Sequence, residues 1–86
     1  MIHAVYDTHF TKGDGSRMHF DIVVLDGTSH QTVLQFGKDF LRSVGQGPPP
    51  LTTTNCEFCH KEQPNPASSE AISRQGYYIH KLEGCL

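Results

Sequence analysis

Two alternating blocks near the start of the chain limit its architecture more than anything that follows. Met1 to Phe10 alternates around β-branched and aromatic residues, and Met18 to Leu25, M-H-F-D-I-V-V-L, does so more strongly. Period-two alternation is the pattern of a strand with one buried face. Between the blocks, T-K-G-D-G-S at 11–16 offers two glycines and an aspartate for turn positions, so the pair predicts a β-hairpin. In the second strand Met18, Phe20, Ile22 and Val24 share a face and leave His19, Asp21, Val23 and Leu25 on the other. In the first, Ile2, Ala4, Tyr6, Thr8 and Phe10 oppose His3, Val5, Asp7 and His9. If both apolar sets face one core, the register sets His9 beside His19 and Asp7 beside Asp21. The second face is then polar near the turn and apolar at its far end.

After the hairpin the period changes. From Ser29 to Val44 the residues Val33, Leu34, Phe36, Phe40, Leu41 and Val44 recur at helical spacing, with D-G-T-S at 26–29 offering a hydroxyl N-cap and Gly45 as a stop. Gln46 to Pro50 reads as a stiff proline connector, and Leu51 to Thr54 as a short extended piece. The cysteine stretch that follows is expected to be a loop. A second helix starts at Asn65 and Pro66 and ends at Gly76, and Tyr77 to Leu82 reads as a last strand. The expected order is β-β-α-α-β, a single α+β domain over residues 1–86 with helices on one sheet.

With 86 residues there is room for one core only. A domain of this size buries roughly 60% of its unfolded surface, so a metal or cross-link would add materially to its stability. A net charge of −2 with dispersed basic residues gives no footprint for phosphate backbones, which argues against nucleic-acid binding. The N-terminus has neither the basic nor the apolar region of a signal peptide, and no stretch reaches the length of a membrane span. Three cysteines make an odd number, which suits reduced thiols or metal ligands in the cytoplasm better than a secreted disulfide framework.

The thiols carry the most specific motif, N-C-E-F-C-H at 55–60. A C-x-x-C pair can hold one zinc ion with two further ligands from elsewhere. Cys56 and Cys59 then need a third ligand, for which Cys85 is the candidate, and a fourth from His60, His19 or His80. His60 is the least suited, since it adjoins Cys59 and must turn back toward the same ion. The same residues also fit small buried thiols, a redox dithiol, or the C-x-x-C-H of c-type haem attachment. The last requires export, and the dithiol lacks its usual place at a helix N-terminus. The His and Asp pairs of the hairpin fit either a hard-metal or acid–base site or a solvated sheet face with cross-strand pairing.

The blocks V-Y-D-T at 5–8, M-H-F-D at 18–21, C-E-F-C-H at 56–60, G-Y-Y-I at 76–79 and E-G-C at 83–85 resemble a small bacterial family known only as a domain of unknown function. The resemblance implies a single α+β domain of about this length in the bacterial cytosol and carries no reaction with it.

Two functional readings follow. The first is a small cytosolic binding module, acting through a protein partner, in which Cys56, Cys59 and Cys85 gather with His60 or His19 around a structural zinc or as reduced thiols. The second is a thiol- or metal-dependent enzyme joining Cys59 and His60 to His19 and Asp21.

Overall fold

The computed structural model describes residues 2–46, 51–52 and 55–83. The proline connector from 47 to 50, part of the extended piece before the cysteines, and Cys85 lie outside the described residues. Strands β1 (His3–Thr11) and β2 (Arg17–Leu25) form the expected hairpin, followed by α1 (His30–Ser43), β3 (Cys56–Glu62), α2 (Pro66–Gln75) and β4 (Tyr78–Glu83). All pairings are antiparallel, and the sheet order is β3-β1-β2-β4. The hairpin register pairs His9 with His19 and Asp7 with Asp21, as a shared core face requires.

The α+β class is as the sequence reads; the difference is the cysteine stretch, expected as loop and found as β3. As an edge strand it buries Cys56 while 57 to 61 are all exposed. It therefore lacks the alternation by which a half-buried strand announces itself. Its place is fixed by hydrogen bonding to β1 rather than by its own pattern.

Helix α1 covers the apolar face. Ser29 caps it by accepting from the Thr32 amide at 3.1 Å. Val33, Phe40 and Leu41 descend onto Ala4, Met18, Phe20, Ile22 and Val24, with Phe20 and Phe40 edge to face at 4.9 Å. Gly37 permits the close approach: a β-carbon there would stand 2.6 Å from a methyl of Leu51. Helix α2 carries a capping box between Asn65 and Ser68 and ends at Gly76, whose φ of 97° favours glycine. It links the ends of β3 and β4 by crossing the far end of the second face, where His3, Val5 and Val23 are buried. Ser68 of this helix lies 3.3 Å from His3 Nδ1. Among the described residues no helix is long and apolar enough to cross a membrane.

Candidate metal-binding site

Because α2 closes only one end of the second face, the end nearest the β1–β2 turn remains open, and every strand sends ionisable residues to it. One register row reads Glu57, Asp7, Asp21, His80 across β3, β1, β2 and β4. The row above it holds His9, His19 and Glu83. The pleat explains the grouping: Asp7 and His9 are two residues apart on β1 and so share a face, while His19 is the cross-strand partner of His9.

At the centre, Asp7 receives both imidazoles. His9 donates from Nε2 to one carboxylate oxygen at 3.2 Å, and His19 donates from Nε2 to the other. The two rings stack with centroids 4.2 Å apart and planes 12° from parallel. The donor atoms of Asp7, His9 and His19 all lie within 4.8 Å of one another. Partial burial opposes ionisation of Asp7, but hydrogen bonds and positive charge from His19, and then from His9, outweigh it and lower its pKa. Asp21 responds the other way. Burial first, then the charge and hydrogen bonding of neighbouring Asp7, raise its pKa, and His80, with Nδ1 at 3.9 Å, offsets this only in part.

Two imidazoles and a carboxylate form the donor set of open, three-ligand zinc centres, and they suit borderline divalent ions in general. The surrounding carboxylates of Asp21, Glu57 and Glu83 favour a cation at this end of the sheet.

The thiols are elsewhere. Cys56 is fully buried in the core beneath α1, opposite Thr8, and His30 donates to its carbonyl oxygen at 2.6 Å. Burial pushes the Cys56 thiol up, and Asp7 adds to this against a lowering hydrogen bond from Thr8. Cys59 is exposed, with Sγ 3.2 Å from His60 Nδ1. His60 also reaches Glu62, its Nε2 lying 3.3 Å from Oε1. His19 contacts Asp7 and His9. Among the described residues, Asp7, His9 and His19 are the one set of three such side chains whose donor atoms converge. Asp7 and His9 are absent from the ligand set expected from the cysteine motif. The signal that finds them is the hairpin register, which brings them beside His19.

Residues 1–82 match the family described as Domain of unknown function (DUF2024). The NMR structure of protein NE1680 from Nitrosomonas europaea, a structural-genomics target, is similar throughout. It has 38% identity and a TM-score of 0.86, with the whole of each chain covered. No curated protein matches the chain.

Proposed function

The chain belongs to this family of unknown function, and from the site itself we propose that it is a small binding domain holding a divalent transition-metal ion, zinc foremost, through Asp7, His9 and His19. The observation that carries the reading is the convergence of those three donor atoms within 4.8 Å on an open face. The ion would replace the protons that now link each imidazole to Asp7, and would leave a coordination position for a group from solvent or a partner molecule. The setting argued from the odd cysteine count is the cytoplasm.

Native mass spectrometry and zinc titration of the untagged chain test this. One zinc per chain is expected, with affinity reduced by more than about tenfold in His19→Ala and in Asp7→Ala. That is the lower end of what even outer-shell changes cost at metal sites. Cys56→Ala and Cys59→Ser should bind as the parent does. Binding lost on Cys59→Ser but kept on His19→Ala would return the ion to the thiols, and no binding at all would end the metal reading.

A further inference from the structure

The cysteine motif is not absorbed by that site, and its exposed half has a geometry of its own. Adjacent residues of a regular strand point to opposite faces, yet Cys59 and His60 meet. The cause is a slip in the β1–β3 register between Val5 and Tyr6: Phe58 pairs with Tyr6 and His60 with Val5, and Cys59 has no counterpart on β1. A bulge of this kind re-aims a side chain and leaves one residue out of the ladder.

The result is an ordered chain of contacts. Glu62 Oε1 lies 3.3 Å from His60 Nε2, a contact that favours the tautomer with its proton on Nε2 and Nδ1 free to accept. Nδ1 lies 3.2 Å from Sγ of Cys59, in position to take the thiol proton. Nucleophile, base and a third group that orients the base thus stand in the order by which an imidazole can activate a thiol, the third group here being a carboxylate. Glu62 also lines a cleft of about 290 Å³ with Asp21, Asn65, Tyr78 and His80. Two carboxylates in a cleft one side chain away from the base favour a ligand with a positive group.

We propose that Cys59 is a reversible thiol-exchange site whose reactant is a small disulfide bearing an ammonium group. In the step, the Cys59 proton passes to His60 Nδ1 and the thiolate sulfur bonds to one sulfur of the disulfide. The disulfide's S–S bond breaks, and the departing thiolate recovers the proton from His60. One free thiol and one disulfide enter, and one free thiol and one mixed disulfide leave. His60 touches the reacting atoms; Glu62 is a positioning residue. Cys56, buried under α1 with its thiol pushed up, takes no part.

The test is site-resolved mass spectrometry of exchange with cystamine, and with the anionic dithiodiglycolate, on the folded chain and on the urea-unfolded chain. Folding is expected to speed the reaction of Cys59 with cystamine on the order of tenfold, less than a positioned base contributes in an enclosed site because this one is wet. His60→Ala and His60→Gln should each remove that gain. Relative to the unfolded chain, folding should favour cystamine over dithiodiglycolate. For Glu62, nitrogen-resolved NMR should find the His60 proton on Nε2, with a mixture of tautomers and a slower exchange in Glu62→Ala. A Cys59 rate equal in folded and unfolded chains, or unchanged in both His60 variants, overturns the proposal. Equal acceleration of the two disulfides overturns the choice of an ammonium-bearing reactant.

Discussion

The two ends of the second sheet face are built from the same two strands, yet they treat polar groups in opposite ways. At the end beneath α2, His3 is 2% exposed and is held in contact with Ser68, one pleat repeat along from the buried cross-strand pair Val5 and Val23. At the open end, the His9 side chain is 51% exposed and shares one carboxylate with His19. A buried polar group needs its own partner, because leaving it unmade costs the full desolvation penalty. An exposed one can share partners, since water supplies what the protein does not. The open end can therefore exchange a proton for another ligand, and the closed end cannot.

The sharpest way to break that contrast is to move a charge by one pleat repeat. Asp21 and Val23 are two residues apart on β2 and lie on the same face. A carboxylate is native at the first, but at the second it would sit beneath α2 among Val5 and Tyr78. Val23→Asp is expected to cost several kcal/mol, against a total stability of about 4–13 kcal/mol for a chain of this length. Urea denaturation should find it largely unfolded or its midpoint greatly lowered. A midpoint near that of the parent would mean that α2 does not seal this end.

Ser68→Ala is the milder break. It removes the hydroxyl beside His3 and one half of the capping box with Asn65. An expected loss of about 1–3 kcal/mol follows from leaving a buried ring nitrogen without its partner. Zinc binding at the open end should be unchanged, and a loss of binding would tie the two ends together.

How much of this could be read in the sequence follows from where each signal resides. The hairpin, its register and the polar-to-apolar gradient of the second face were legible, because alternation on two neighbouring strands leaves one arrangement that buries Met18, Phe20, Ile22 and Val24. Both helix starts were legible, the first from the hydroxyls that end the 26–29 turn, of which Ser29 is the cap, and the second from Asn65 with Pro66. Strand β3 was not, since its exposed residues need bury nothing and its pairing is decided by the free edge of β1. The C-x-x-C spacing drew attention to chemistry shared by the two thiols. Residues three apart on a strand face opposite ways, so Cys56 enters the core and Cys59 stays outside, where the bulge lets it meet His60. No local pattern encodes a register slip.

The smallest effect tests the open end itself. Asp7 and Asp21 are cross-strand partners, and like charges facing each other on a sheet cost roughly 0.2–1 kcal/mol. The imidazoles relieve Asp7 and lower its pKa, so its contribution to stability is present above the unfolded value near 3.9 and is lost as pH falls through the lower folded value. Asp21, raised by burial and by Asp7, has the opposite sign. Its cost is full above the raised folded value and disappears as pH falls below about 3.9. With metal chelated, Asp21→Asn should therefore stabilise the chain at neutral pH by up to about 1 kcal/mol, and that gain should shrink toward zero near pH 3, below the unfolded carboxylate value of about 3.9. Asp7→Asn should destabilise at neutral pH. Urea midpoints at the two pH values decide it: an Asp21→Asn gain that persists undiminished in acid would reflect a better fit of the amide, leaving no penalty from two carboxylates facing each other.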